Sequence, residues 1–544
     1  MNLKREFRFD VRKFLFVFIL SFSFSAVAQD NPDALPGWVR GTSVGSDGKE
    51  IQGITLNGQA VLYSSPVIAD VDGNPGNGLE TVTGTSDGII SVHRADGLLL
   101  WTAELPNHSC NKAGDTNKLL ASPAVGDIFG NGVPHVVAGY GGVPNRSCEG
   151  GVIALRGTDG QVAWNFSTNK NAKKFKYGVP VGYAVVSAPA LADTDGDGKM
   201  EIGFGSFDRN VYLLNADGSL RWFYNAADTI WGSAAFANVD RDPKLEMIMG
   251  TDISANKRLK PVTKNGGFVY AFKTESRNNK RISFRDKSAY VWQSYLPQVM
   301  YTSPVVADVL PSAGDEIIVL SGCFFPQGSN NKDGKWIKIL KGSTGKVIQT
   351  LPINACSSSQ AAVGDIDDDG KLEIVATVNG AKNIGGDGSS RIVAFNPEDT
   401  TPIWSIIPYD KGRNDEYGGN FMSPVIADVD GNGSLEVLAG NGESVSIFNG
   451  RDGAALTCQT RGCGDKPFIL ETGGTLHSTP AIADVNLDGV LDIIAASNDK
   501  TSNKGGLFGW TNMQDFITSP AGNQSPNSAP WPMYRGNANH TAKK

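Results

Sequence analysis

Short runs recur along the chain in which a small residue alternates with a large apolar one and the run closes on an acid or amide. They are Ser65-Pro66-Val67-Ile68-Ala69-Asp70, Ser122-Pro123-Ala124-Val125-Gly126-Asp127, Ala188-Pro189-Ala190-Leu191-Ala192-Asp193 and Ser233-Ala234-Ala235-Phe236-Ala237-Asn238. The series continues with Ser303-Pro304-Val305-Val306-Ala307-Asp308, Gln360-Ala361-Ala362-Val363-Gly364-Asp365, Ser423-Pro424-Val425-Ile426-Ala427-Asp428 and Thr479-Pro480-Ala481-Ile482-Ala483-Asp484. Ala or Gly always precedes the closing residue, and a large apolar residue always precedes that. A period of two describes a strand with unlike faces. The small face lets a neighbouring sheet approach closely, as the innermost strand of a propeller blade requires. The closing residues lie 45 to 70 positions apart, a repeat length that indicates a propeller or a solenoid.

Each run leads through a polar loop to a second strand, as in Glu201-Ile202-Gly203-Phe204-Gly205. A Gly-containing turn or loop leads to a third, such as Val211-Tyr212-Leu213-Leu214, and Asp217-Gly218 turns the chain into a fourth that carries Trp222. Trp101, Trp164 and Trp404 hold equivalent places and read as packing between blades. The fold class expected is all-β: a single large β-propeller of eight four-stranded blades, or of seven with one divergent block. The propeller is expected over residues 56–541, after an N-terminal segment at 29–55. A C-terminal strand near 530–536, around Trp531, Tyr534 and Arg535, is expected to supply the last outer strand. Closure removes sheet edges that would otherwise aggregate.

Composition fits this picture. Among 544 residues there are 65 Gly and 27 Pro, and charged residues make up 19%. The net charge of −7 provides no basic field for nucleic acid. Lys4, Arg5, Arg8, Arg12 and Lys13 precede an apolar run from Phe14 to Phe24 and then Ala26-Val27-Ala28. This is the layout of a signal peptide over 1–28, cut near Ala28, with an apolar run too short to span a bilayer. Export to the periplasm or the cell exterior is expected. An oxidising compartment lets the six cysteines pair, although spacing alone leaves fifteen pairings open.

The loops after the first strands carry the chemistry. Asp193, Asp195, Asp197 and Glu201 place acids at positions 1, 3, 5 and 9 of a Gly-containing turn. Such a turn gathers oxygens around a hard cation, which wants six to eight of them. Asp365, Asp367, Asp369 and Glu373 repeat it, as do Asp428, Asp430, Asn432 and Glu436, and Asp484, Asn486, Asp488 and Asp492. Weaker copies are Asp70, Asp72, Asn74 and Glu80, and Asn238, Asp240, Asp242 and Glu246. In two loops the pattern has decayed: Phe129 follows Asp127 and Leu310 follows Asp308 where an acid belongs. Calcium is the cofactor expected.

These loops, set between S-P-x-I-A-D and E-I-x-x-G strands over roughly residues 60–515, resemble FG-GAP (VCBS-type) repeats. That family builds integrin α-like propellers with calcium loops on one face. The D-G-x-x-x-W strand ends also look like quinoprotein-type propellers. In the implied layout, Cys110 and Cys356 fall in loops before inner strands, and Cys148 and Cys323 in loops between second and third strands. Both kinds lie on the face away from the calcium loops. The layout predicts the pairs Cys110–Cys148 and Cys323–Cys356, leaving Cys458–Cys463.

That opposite face has long loops, among them Asn169 to Tyr183 with Lys170, Lys173, Lys174 and Lys176. Seven positions before the closing residue, five repeats carry a ring: Tyr63, Trp231, Tyr301, Phe421 and His477. These rings form either wedges between blades, the reading favoured here, or a platform for sugars or peptide side chains. The functional expectation is an exported, non-catalytic binding or adhesion module for a glycan or protein ligand on that face. The alternative is a propeller enzyme, either a polysaccharide lyase or a quinone-dependent dehydrogenase. Dehydrogenases of that type often carry an adjacent Cys pair, which is missing here. Two G-x-S-x-G matches, at Gly41–Gly45 and Gly84–Gly88, lack the strand–turn–helix context of a nucleophile and read as turns.

Overall fold

The computed structural model describes residues 34–541 except 39–40, 45–49, 60, 107–120, 143–147, 172–181, 227, 255–263, 276–279, 283–285, 312–313, 323–333, 381–386, 388, 408–421, 458–469, 500–503, 518 and 538–539. The expected signal peptide lies outside these. Among the described residues, no helix is long and apolar enough to cross a membrane.

The strands form eight separate antiparallel sheets, an eight-bladed propeller. Each of the eight runs supplies the innermost strand of one blade, beginning with Val67–Ala69 in blade 1 and ending with Ala481–Ala483 in blade 8. Blade 3 shows the plan: Ala190–Ala192, Glu201–Gly205, Asn210–Leu214 and Leu220–Asn225 pair in order, with Lys280–Ile282 added in parallel outside. The alternation along the inner strand is used on both faces. Phe236 in blade 4 is 2% exposed and lies in a core with Trp222 of blade 3, while Ala235 and Ala237 face the core shared with Val306 of blade 5.

Two interlocks repeat around the ring. The first uses the Ser or Thr that opens six of the eight runs. Its hydroxyl accepts the backbone N–H of the matching residue in the preceding blade: Ser65 to Ser122 at 2.9 Å, Ala188 to Ser233 at 2.8 Å, Ser233 to Ser303 at 2.9 Å and Ser423 to Thr479 at 2.9 Å. The second uses the fourth-strand Trp. The indole N–H of Trp164 donates to Ala216 O at 2.8 Å, Trp292 to Gly342 O at 2.6 Å and Trp404 to Gly450 O at 2.6 Å, each in the next blade. A Cβ at Gly160, Gly218, Gly345 or Gly453 would lie 2.3–2.9 Å from the Trp of the preceding blade. Those turn glycines, all with positive φ, are therefore set by both conformation and contact.

Closure differs from the sequence expectation. The fourth place in blade 8 is taken by Glu50–Thr55, which pairs with Lys504–Trp510 and is itself flanked by Gly41–Val44. The segment at 29–55 thus contributes strands to the propeller. Trp38, fully buried, donates its indole N–H to Ala95 O of blade 1 at 2.9 Å. It does at the last seam what the fourth-strand Trp does elsewhere. Among the described residues, the C-terminal segment forms no outer strand. Trp531 instead bridges Ile426 of the innermost strand of blade 7.

Candidate functional site: the acidic loops and the rings opposite

Every acidic loop leaves the inner strand at the same end of its blade. Its first residue organises the turn through backbone N–H groups. In blade 7, Asn432 N and Gly433 N donate to the two oxygens of Asp428 at 3.0 and 2.8 Å, and in blade 8, Asp488 N and Gly489 N do the same with Asp484 at 3.0 and 2.9 Å. The fourth position is left-handed in seven loops, at Gly73, Gly130, Gly196, Arg241, Asp368, Gly431 and Leu487. Only Gly takes that conformation without strain.

The acid that opens the second strand has a second duty. One oxygen accepts the N–H of the residue after the loop's first residue: Val71 to Glu80 at 2.8 Å, Val239 to Glu246 at 3.0 Å, Ile366 to Glu373 at 2.9 Å, Val429 to Glu436 at 3.0 Å and Val485 to Asp492 at 2.9 Å. The same bond forms from Val309 to Glu316 at 3.0 Å, in a loop whose other acids have decayed. This acid is therefore structural as well as a candidate ligand.

Carboxylate oxygens converge within 4.8 Å in five loops: Asp70, Asp72 and Glu80; Asp193, Asp195 and Asp197; Asp240, Asp242 and Glu246; Asp365, Asp367 and Glu373; and Asp428, Asp430 and Glu436. These clusters could hold metal ions. Among the described residues, Asp484, Asp488 and Asp492 form no such group, so the fourth strong copy of the sequence pattern does not converge as the others do. Asp369 stands outside its cluster and accepts Lys371 N at 2.8 Å. Asn74 and Asn432 donate their backbone N–H to neighbouring carboxylates, and the Asn432 side-chain amide donates to Asp430 at 2.8 Å. Asn238 receives the N–H of Arg241 at 2.7 Å.

The loop of blade 3, with acids at all four positions of the pattern, departs from expectation. Glu201 is drawn out of the cluster by Arg221, whose Nη1 lies 2.7 Å from its carboxylate. The same guanidinium pairs with Asp195, and its side chain is 8% exposed. Blade 2 replaces the acids with rings: Phe129 packs edge-on against His135 at 4.9 Å, and His135 stands where other blades have Glu.

Burial makes four of the glutamates that open second strands reluctant to ionise. It raises Glu80 and Glu246 to about 7, Glu373 to about 8 and Glu436 to about 9, each with neighbouring Asp charges adding to the effect. Glu80 Oε1, Glu373 Oε1 and Asp365 Oδ1 are buried and meet no hydrogen-bond donor. A hard cation supplies what such oxygens lack. In blade 7, residues from beyond blade 8 lie over the cluster: Ser519 Oγ reaches Glu436 at 2.9 Å and Asn527 N reaches Asp428 at 2.9 Å. Gln524 Nε2 donates to Asp365 of blade 6 at 3.1 Å. Sequence reasoning missed these contacts, and no local pattern around Ser519 signals them.

At the other end of the blades, four of the five slot rings are described, and Phe421 lies outside the described residues. They meet in pairs across seams: Trp231 with Tyr301 at 5.3 Å and Tyr63 with His477 at 5.8 Å. Trp231 also packs on Phe207 at 4.7 Å yet remains 38% exposed. Asp252, 6% exposed, has its carboxyl held well above the usual range by burial and then by Asp228. Burial, and after it both acids, hold the Tyr301 phenol above its ordinary value. Cys148 and Cys356 are buried, while Cys110, Cys323, Cys458 and Cys463 lie outside the described residues.

No protein-family model matches the chain, FG-GAP repeats included. No curated protein matches it either. Solved structures do. Quinohemoprotein alcohol dehydrogenase from Comamonas testosteroni is 13% identical with a TM-score of 0.52, over 86% of this chain and 77% of that one. BamB from Moraxella catarrhalis is 13% identical with a TM-score of 0.47, over 84% and 95%. The V. cholerae biofilm matrix protein Bap1 is 14% identical with a TM-score of 0.39, over 94% and 96%. At these identities the likeness is one of fold.

Proposed function

We propose that the chain is an exported, calcium-stiffened β-propeller that binds a glycan or protein at the end opposite the acidic loops. The observation that carries the calcium reading is the set of buried, donor-less carboxylate oxygens of Glu80, Glu373 and Asp365 inside converging clusters. Calcium would be held by Asp70, Asp72 and Glu80, by Asp240, Asp242 and Glu246, by Asp365, Asp367 and Glu373, and by Asp428, Asp430 and Glu436. Asp193, Asp195 and Asp197 form a cluster that competes with Arg221 for its counter-charge. Bound there, calcium neutralises carboxylates that otherwise repel and ties the first strand of a blade to its second.

The ligand reading rests on the half-exposed indole of Trp231, backed by Phe207 and Tyr301. A flat apolar face beside polar groups suits a sugar ring or a peptide side chain. The disulfides Cys110–Cys148 and Cys323–Cys356 would tie loops at that same end, with Cys458–Cys463 as a local pair. A glycan and matrix-protein array probed with and without EDTA tests the proposal. Trp231→Ala should abolish the signal while leaving the melting temperature within about 2 °C, as expected for a surface change of under ~0.5 kcal/mol. Unchanged binding by that variant would remove Trp231 from the site. A large fall in melting temperature would make it a wedge.

A further inference from the structure

Trp231 stands where three blades meet. Phe207 lies in the turn between the second and third strands of blade 3, Trp231 leads into the innermost strand of blade 4, and Tyr301 leads into that of blade 5. The indole meets Phe207 at 4.7 Å and 64°, and Tyr301 at 5.3 Å and 59°. Rings set at such angles form the walls of a cup rather than a stack. Their electron-rich faces attract a cation that comes within about 6 Å of a ring.

Two acids lie beside these rings. Asp228 precedes Trp231 by three residues, and Asp252 lies near the end of the second strand of blade 4, Glu246–Ile253. Along that strand Met247 and Met249 face the seam with blade 3, while Ile248 faces the seam with blade 5. Asp252 shares the face of Ile248, so its carboxyl points into the seam that Tyr301 enters. The backbone agrees. Asp252 N donates to Thr229 O at 3.4 Å, and Asp252 Oδ1 accepts Met300 N at 3.0 Å. Thr229 adjoins Asp228 and Met300 adjoins Tyr301, so both acids and the phenol come together.

The acids are short of positive charge. Asp228 accepts Thr229 N at 2.9 Å and the Ser254 hydroxyl. Among the described residues, Met300 N is the one donor to Asp252, and its Oδ2 receives none. No Lys or Arg among the described residues pairs with either acid, and the charge acting on Asp252 is the like charge of Asp228. Asp208, fully buried in the blade 3 turn, shows the contrast: it accepts the Tyr212 hydroxyl and Asn210 N and is satisfied internally. A buried carboxylate oxygen without a donor is costly until a ligand supplies one. A cation placed there favours the ionised form.

Exposure falls from 38% at Trp231 to 6% at Asp252, with Asp228 and Tyr301 half-buried. A ligand must therefore pass the indole with an apolar stem and deliver its charge beyond it. Lysine has that shape: a methylene stem that lies on apolar surface and a compact ammonium with three donors. The amine of an amino sugar sits directly on its ring and lacks the reach.

We propose that Phe207, Trp231, Tyr301, Asp228 and Asp252 form a niche for the side chain of a lysine on a protein ligand. The stem lies against the indole, and the two carboxylates hold the ammonium. This deepens the functional reading above and rests on it, in that the ligand approaches the end opposite the acidic loops.

The test uses the full chain, with Nα-acetyl-lysine methylamide as the probe and saturation-transfer difference NMR as the readout. The probe should bind saturably, with transfer strongest at its side-chain methylenes. The norleucine analogue, which lacks the ammonium, should bind at least about tenfold more weakly. Asp252→Asn keeps the shape and removes the charge, and should weaken the probe about tenfold or more with near-UV circular dichroism unchanged. Asp228→Asn, at the half-buried acid, gives an independent reading and should weaken it about threefold or more. No saturable binding, equal binding of the norleucine analogue, unchanged binding by both Asn variants, tighter binding of glucosamine than of the lysine probe, or displacement of the probe by calcium would each overturn the niche. An array ligand lost in Trp231→Ala and kept in both Asn variants would overturn the niche and leave the broader reading standing. Asp252-dependent lysine binding without any Trp231-dependent array ligand would support the niche and overturn the broader reading.

Discussion

The backbone N–H of Thr479 donates to the hydroxyl of Ser65 at 3.0 Å, across a sequence separation of 414 residues. It is the same bond that links blade to blade elsewhere, here joining the last blade to the first. Ser65 is 2% exposed, so Ser65→Ala strands a buried N–H. The expected cost is about 1–3 kcal/mol of unfolding free energy, measured by chemical denaturation. Ser65→Thr, which keeps the hydroxyl, should recover most of it. An unchanged midpoint in the Ala variant would mean that the seam does not depend on this bond.

Arg221 occupies its loop as a resident cation. Arg221→Met leaves Asp195 and Glu201 without a counter-charge, which in metal-free protein should cost about 3 kcal/mol. Calcium should then recover more stability in the variant than in the parent. Titration calorimetry should show one additional calcium bound. An unchanged stoichiometry would show that Asp193, Asp195, Asp197 and Glu201 cannot regroup.

The raised carboxyls set a pH dependence. Glu373 at about 8 and Glu436 at about 9 bind protons more tightly when folded than at their ordinary value of 4.5. Between those values the folded state holds the extra protons. The stability they contribute is full below about 4.5 and is lost as pH rises towards 8 or 9. Metal-free protein should therefore melt at lower temperature at pH 8 than at pH 5.5. Saturating calcium, which favours the ionised form, should flatten or invert that slope. Identical slopes with and without calcium would count against the clusters as metal sites.

Leu487 holds the left-handed fourth position of the blade 8 loop at φ 61° and is 48% exposed. Leu487→Gly removes the steric cost and loses little burial. It should stabilise the protein by about 0.5–1 kcal/mol, the left-handed penalty less the entropy cost of a new Gly. A destabilised variant would indicate that the leucine packs on something its exposure does not reveal.

The eight-bladed plan, the inner strands and the acid-bearing turns were legible from residues alone because each is a local pattern. Alternation at period two, a Gly within an acidic turn and an acid at its ninth position are recorded within one repeat, and the copies around the ring reinforce the signal. Even the Trp residues of the fourth strands follow that register. Three decisions belong to contacts that no repeat encodes. Glu50–Thr55 and Trp38 close the last blade because, among the described residues, no fourth strand follows Lys504–Trp510. Arg221 takes Glu201 because the fourth strand of blade 3 runs beside its loop, a proximity invisible to spacing. Arg535 finds Ala234, Pro304 and Gln360 only once three innermost strands have converged, since each acceptor is part of an ordinary local pattern until the ring places them around one point.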